Sequence, residues 1–76
     1  MKNNSSLIEH PNRCLRMNDV CKITGLSRSY VYALAGQGLF PQSFPLVPGG
    51  TSRAWLESEV QEWIAQRIND RDSEVV

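Results

Sequence analysis

The side chains that could bind a metal or catalyse a reaction are few in this 76-residue chain. Cys14 and Cys21 are its two thiols and His10 is its one imidazole. Three such ligands at irregular spacing, without a fourth, do not match a structural zinc site. A lone histidine that no motif places beside a nucleophile also disfavours catalysis. The sequence therefore predicts no metal, no cofactor and no enzymatic activity.

The polar residues in the middle of the chain suit nucleic-acid recognition better. An arginine can bind guanine or phosphate through two parallel hydrogen bonds, and hydroxyl groups donate to phosphate oxygens. The residues predicted to bind DNA are Ser27, Arg28, Ser29, Tyr30, Tyr32, Thr51, Ser52 and Arg53. Two alternatives stay open here: Arg28 could pair with a carboxylate on the surface, and the tyrosines could be half-buried parts of the core.

A short first helix is predicted just before these residues. Val20, Cys21 and Ile23 give one apolar side to a helix that starts near Asn18, a residue type that favours the N-cap position. Gly25 ends this helix, because glycine reaches a positive φ without steric cost. The chain is therefore expected to turn at Gly25.

A second helix is predicted from about Ser27 to Ala35. Ser27 can cap it, and Val31 and Leu34, three residues apart, supply a buried side. Two helices joined by a glycine turn form a helix-turn-helix, which can place the second helix in the major groove of DNA.

A β-hairpin and a third helix are predicted to follow. Residues 44 to 47 form a β-favouring run, residues 48 to 52 a flexible turn, and residues 53 to 55 a returning strand. This hairpin would be the wing of a winged helix-turn-helix. The predicted buried side of the third helix consists of Val60, Trp63, Ile64 and Ile68. The aromatic residues assigned to the core are Phe40, Phe44, Trp55 and Trp63.

The charges are segregated along the chain although the formal net charge is zero. Through Trp55 there are six basic and two acidic residues, a net charge of +4, and from Leu56 onward two basic and six acidic, a net charge of −4. Because DNA affinity comes largely from neutralising phosphates, the basic first part is predicted to face DNA. The acidic helix is predicted to point elsewhere.

Several strings in the sequence resemble a known family. They are Thr24-Gly25-Leu26-Ser27-Arg28-Ser29 with Val31-Tyr32, then Gly38-Leu39-Phe40-Pro41, and then Arg53-Ala54-Trp55 with Ser58-Glu59-Val60 and Trp63. In this order and spacing, across roughly residues 13 to 71, they look like the AlpA-type phage regulators. That family is similar in fold to the winged helix-turn-helix half of MerR-type regulators.

The resemblance implies a mainly α fold with a small β-hairpin, three helices plus a two-stranded wing. It also implies a sequence-specific DNA-binding protein of a prophage or genomic island. Such proteins act as excisionases (recombination directionality factors) with an integrase, or as transcriptional regulators. Expected partners are double-stranded DNA, a cognate integrase and further copies bound to adjacent DNA sites.

Two positions depart from the family pattern, which tends to have a small β-branched residue at Tyr30 and a basic residue at Ala33. This departure leaves an alternative open, in which the chain is a protein-interaction adaptor that keeps the winged fold without binding DNA.

The predicted organisation is one domain with flexible ends. Residues 1 to 12 are expected to be an N-terminal arm, 13 to 71 the winged domain, and 72 to 76 a C-terminal tail. No long apolar run and no signal-peptide core is found in the sequence, so a cytoplasmic protein without membrane contact is predicted.

Overall fold

The computed structural model describes residues 12 to 74, which form three helices and three short strands. In chain order they are β1 (Cys14–Leu15), α1 (Met17–Thr24), α2 (Arg28–Gly36), β2 (Phe44–Pro45), β3 (Arg53–Leu56) and α3 (Glu57–Glu74). This arrangement confirms the predicted mainly α fold with a wing. The predicted N-terminal arm lies outside the described residues except for Asn12.

The first helix begins one residue before the predicted N-cap. Its N-cap is Arg16, whose extended backbone N–H donates to the Asp19 carboxylate at 3.0 Å. Asp19 stands three residues into the helix, the position from which an acidic side chain reaches back to the N-cap amide. The prediction of Asn18 as N-cap was therefore wrong, and Met17, which is buried, occupies the first helical position.

The turn between α1 and α2 follows the prediction. Gly25 adopts a φ of 78°, and its N–H donates to the Cys21 carbonyl at 2.8 Å. Two residues later, the Ser27 hydroxyl accepts a hydrogen bond from the Tyr30 N–H at 3.2 Å and caps α2. The glycine thus ends one helix and the serine starts the next.

The sheet contains one strand more than predicted, in the order β1-β3-β2. β2 and β3 form the predicted antiparallel hairpin, with Pro45 opposite Arg53. β1 pairs with the other edge of β3, with Leu15 opposite Trp55. A two-residue strand is too short to show an alternating pattern, so β1 could not be predicted from the sequence. β2 also ends at Pro45, earlier than the predicted run to Val47.

The core lies where the sheet meets all three helices. Its buried apolar residues are Leu15, Met17, Val20, Val31, Phe40, Ala54, Trp55 and Val60. The indole N–H of Trp55 donates to the Pro41 carbonyl at 2.9 Å, so its one polar group is satisfied. The core assignment was correct for Trp55 and Phe40, whereas Phe44 is only half-buried.

The third helix is packed on the core through its first half only. Val60 is fully buried, and Trp63 packs against Phe40 edge-to-face with ring centroids 4.8 Å apart. Every described residue after Ile64 is exposed. Ile68, predicted on the buried side, is 46% exposed and lines an open groove with Ile23 and Thr24 of α1. The helix continues to Glu74, three residues past the predicted end of the domain.

Replacing Gly25 by alanine is expected to lower the free energy of unfolding by about 1 to 2 kcal/mol, because a Cβ is disfavoured at positive φ. No atom lies within 4 Å of a Cβ built there, so the cost is conformational. The matched control is Gly36→Ala, which lies in α2 with equally open surroundings and should stabilise the protein by about 0.5 to 1 kcal/mol. Urea unfolding of the two variants measures both values, and equal destabilisation would contradict this account of the turn.

Candidate nucleic-acid interface

A cleft of about 180 Å³ lies between the start of α1, the helix α2 and the β2–β3 hairpin. It is lined by Arg16, Met17, Arg28, Tyr32, Ser43, Thr51, Arg53 and Trp55. Three of these residues are arginines, and none carries a carboxylate. A concave surface lined by charges of one sign concentrates its field, so the cleft attracts anions.

Arg53, at the start of β3, is held against the residue that precedes β2. Its Nε donates to the Ser43 hydroxyl at 2.7 Å and its Nη2 to the Ser43 carbonyl at 2.8 Å. Both acceptors are neutral, so the guanidinium keeps its full positive charge at the cleft. The hairpin therefore presents a positioned arginine beside α2.

Arg16 is a second arginine of the cleft that was not among the predicted site residues. Its Nε donates to the Arg53 carbonyl at 3.0 Å, which links the start of α1 to the central strand. The sequence carries a signal for it, because Arg16 stands between the apolar Leu15 and Met17 and therefore points away from the core. The exposed position of Arg16 points to the cleft only when the pairing of β1 with β3 is known.

Arg28 is the first residue of α2 and is exposed. Its Nη2 donates to Asn18 Oδ1 at 2.9 Å. The partner is thus an amide, and within residues 12 to 74 no carboxylate lies within ion-pair distance of Arg28. The alternative of a carboxylate-paired surface arginine does not describe this residue. Asn18 positions the guanidinium, which is a different role from the predicted N-cap.

The remaining predicted residues of α2 lie on its exposed side. Tyr30 and Tyr32 are 54% and 59% exposed, and neither is among the buried residues of the core. Tyr32 lines the cleft, whereas Ser27, Ser29 and Tyr30 lie outside its lining. The structure therefore gathers only part of the predicted recognition helix around the cleft.

The predicted wing residues Thr51 and Ser52 are exposed. Thr51 lines the cleft beside Arg53, and the carbonyl of Ser52 accepts a hydrogen bond from the Leu46 N–H at 2.8 Å. Of the eight predicted site residues, four line the cleft: Arg28, Tyr32, Thr51 and Arg53.

The acidic residues of α3 lie away from the cleft. Glu59 and Glu62 line a separate surface with Pro41 and Gln42. Further along the helix, hydrogen bonds from Gln66 and Arg67 hold the pKa of the Asp70 carboxyl below its usual value. None of the acidic residues of α3 lines the cleft that the three arginines share.

Among the described residues, no group of three or more His, Cys, Asp or Glu side chains is placed to hold a metal ion. Within the same part of the chain, no helix has the length and apolar character needed to cross a membrane.

A helix-turn-helix, a β-hairpin beside its second helix and a third helix beneath define the winged helix-turn-helix class. The chain also matches a known family. The model of the prophage CP4-57 regulatory protein (AlpA) family matches residues 13–68. The chain belongs to the AlpA family of prophage regulatory proteins.

A relative is found in a phage. The chain is 48% identical over 59 residues to "Uncharacterized protein ORF88" of Enterobacteria phage P4. The aligned region covers 78% of this chain and 65% of the phage protein, so the chain spans about two thirds of that relative's length. No solved structure gives a significant match.

Replacing Ser27 by alanine should lower the free energy of unfolding by about 1 kcal/mol, because the Tyr30 N–H loses its acceptor at the helix start. Ser29→Ala, two residues further along, removes a hydroxyl for which the described structure gives no partner and should change stability by less than about 0.5 kcal/mol. Thermal or urea unfolding compares the two variants. Equal stabilities would show that the cap contributes little.

Proposed function

We propose that this AlpA-family chain is a sequence-specific DNA-binding protein of a prophage or genomic island. One observation carries the proposal: Arg16, Arg28 and Arg53 surround one carboxylate-free cleft between α2 and the hairpin. The spacing of a helix and a wing around a positive concave surface suits a DNA duplex, which offers a groove to the helix and phosphates to the wing.

In this proposal α2 enters the major groove with its N-terminal end toward the bases. Arg28 leaves the neutral Asn18 oxygen and binds a guanine edge or a phosphate through its two parallel donors. The exposed hydroxyls of Ser27, Ser29, Tyr30 and Tyr32 donate to phosphates or base edges around it. Because the partner given up is uncharged, Arg28 can be transferred to DNA without breaking an ion pair.

The hairpin binds the sugar-phosphate backbone beside that groove. Arg53 is already positioned by Ser43, and Thr51 and Ser52 carry hydroxyl and amide donors at the same edge. Arg16 adds a third positive charge to the cleft. These contacts fix the position of α2 on the duplex and contribute affinity that does not depend on sequence.

One such domain has a nine-residue helix with a single basic residue, so its affinity for one short site is expected to be weak. We propose that several copies bind adjacent sites and act as an excisionase with an integrase, as a transcriptional regulator, or as both. The family membership supports a regulatory role in a prophage.

Arg28→Ala and Arg53→Ala are each expected to weaken DNA binding by about 1 to 3 kcal/mol. A variant that loses a phosphate contact should also reduce the slope of log K against log salt by about one, whereas a variant that loses a guanine contact should relax sequence specificity at that base. Arg71→Ala is the matched control, since Arg71 lies on α3 beside Asp72 and away from the cleft. Fluorescence anisotropy over a salt series, with DNA selected from a random duplex library, measures both quantities.

Two results would contradict the proposed role. Unchanged binding in both cleft variants would remove the cleft from the mechanism. Failure of the intact protein to select any duplex at low salt would instead favour the alternative of a protein-interaction adaptor with a winged fold.

The excisionase role predicts that integrase-catalysed excision requires this protein. The assay combines the purified integrase of the same element with a DNA substrate that carries both attachment sites. Addition of the protein should yield the excised circle, and Arg28→Ala should reduce that yield. An excision yield independent of the protein would leave the transcriptional role, which a promoter-reporter assay with the same two variants tests.

A further inference from the structure

An open groove of about 370 Å³ lies between the end of α1 and the middle of α3, and it shares no lining residue with the arginine cleft. The large apolar residues that line it are Ile23, Trp63, Ile64 and Ile68. Ile23 is 39% exposed and Ile68 is 46% exposed, so part of this apolar surface is left in water at a cost in free energy. Adjacent exposed apolar side chains in a concave surface are typical of a site that another segment covers.

The rim of the groove is basic. Arg67 and Arg71 line it, and none of its described lining residues carries a carboxylate. The Arg67 guanidinium lies 5.3 Å from the centre of the Trp63 ring, so a positive charge stands directly beside the apolar surface. Both arginines also contact an aspartate of α3, but these pairs are exposed and contribute little. An apolar segment that carries a carboxylate would therefore complement the groove.

One short segment of this chain has that composition. Leu7 and Ile8 are adjacent aliphatic residues, and Glu9 follows them. In the sequence from residue 1 to residue 11, they are the only adjacent aliphatic pair and Glu9 is the only acidic residue. Residues 7 to 9, here called the N-terminal segment, precede the described part of the chain. The groove thus has a candidate occupant of matching chemistry within the same protein.

The chain enters the domain at the start of α3. The Glu57 N–H donates to the Arg13 carbonyl at 2.8 Å, and Cys14 pairs with Leu56. β1 is antiparallel to β3, and β3 leads directly into α3. Followed backward from Arg13, the chain therefore runs in the direction in which β3 enters α3, the helix that carries the groove.

The N-terminal segment also has the length to reach the groove. Ile64 and Ile68 stand ~10 and ~17 Å along α3 from its first residue, because an α-helix rises about 1.5 Å per residue. An extended chain spans about 3.3 Å per residue, so Ile8 and Leu7 can reach ~13 and ~17 Å from Asn12. The two spans agree. Ile8 and Leu7 can therefore lie beside the two isoleucines of α3.

We propose that the N-terminal segment docks into this groove, with Leu7 and Ile8 on the apolar lining and Glu9 beside Arg67 and Arg71. Docking ties the exposed second half of α3 to the end of α1. Because the groove and the arginine cleft have no lining residue in common, the three cleft arginines stay accessible. The inference is therefore independent of the proposed DNA binding.

The isoleucines of the chain provide a direct test. The sequence contains four of them, and Ile23, Ile64 and Ile68 line the groove while Ile8 lies in the N-terminal segment. Selective labelling of isoleucine methyl groups in the full chain therefore gives signals only from the proposed contact. We expect nuclear Overhauser cross-peaks between the methyl groups of Ile8 and those of Ile64 or Ile68. Absence of any cross-peak from Ile8 to the groove would overturn the inference.

Dilution of the labelled protein with an excess of unlabelled protein identifies which chain supplies the segment. Cross-peaks that arise within one chain keep their intensity relative to the diagonal peaks. Cross-peaks that disappear on dilution would show that the segment of a second copy fills the groove, and would overturn docking within the chain.

A second measurement compares stability. Ile8→Ser is expected to lower the equilibrium constant for folding by roughly three- to tenfold, because an aliphatic contact is lost. In a protein that already carries Ile68→Ser, the same change should have a much smaller effect, since the two residues form one contact. Leu46→Ser, which alters an exposed aliphatic residue of the hairpin, is the matched control and should leave the isoleucine methyl signals unchanged.

Urea unfolding of the two single variants and the double variant gives these constants. Effects of Ile8→Ser and Ile68→Ser that simply add would contradict a shared contact. Ile8→Ser should bind the selected duplex as the unaltered protein does, because it leaves the cleft intact. Failure of the unaltered protein to select any duplex would remove the proposed function, while the methyl contacts would still decide the inference about the groove.

Discussion

The pairing of β3 on both of its edges is the interaction on which the rest of the structure depends. This strand has only four residues, yet β1 pairs with one edge and β2 with the other. β1 leads directly into the helix-turn-helix, and β2 is the other strand of the wing. Because Trp55 packs in the core from the middle of this sheet, the orientation of the wing relative to α2 is fixed by backbone hydrogen bonds together with apolar packing.

The same strand also organises the polar surface. The Arg53 carbonyl accepts the hydrogen bond from Arg16, while the Arg53 side chain is held by Ser43. The next residue, Ala54, is fully buried. β3 thus contributes buried side chains to the core, and it also positions two of the three cleft arginines. A net charge of zero for the whole chain is compatible with this surface, since the acidic residues of α3 lie elsewhere.

The sequence predicts those features that depend on local chemistry. Gly25 and Ser27 predict the helix-turn-helix, because glycine is favoured at a positive φ and serine is favoured as the residue that caps a helix. Arg16 and β1 were missed, since their roles depend on pairing with a strand about 40 residues away. The start of α1 was predicted too late: Asn18 is a favourable cap by type, but burial of Met17 and the reach of Asp19 make Arg16 the N-cap. For the candidate site, Arg28 and Arg53 are identifiable by residue type, while the cleft that joins them depends on the tertiary fold.

The neutral oxygens that hold the cleft arginines have an evolutionary consequence. Asn18 and Ser43 each differ from an aspartate by a small chemical change, and an aspartate at either position would form an ion pair with the arginine it now positions. Such a change would reduce the positive field without altering an arginine, the core or the fold. Positions 18 and 43 are therefore sites at which selection can lower the charge of this surface by one unit and keep the arginine's hydrogen-bond donors, whereas loss of an arginine would remove both its charge and its donors.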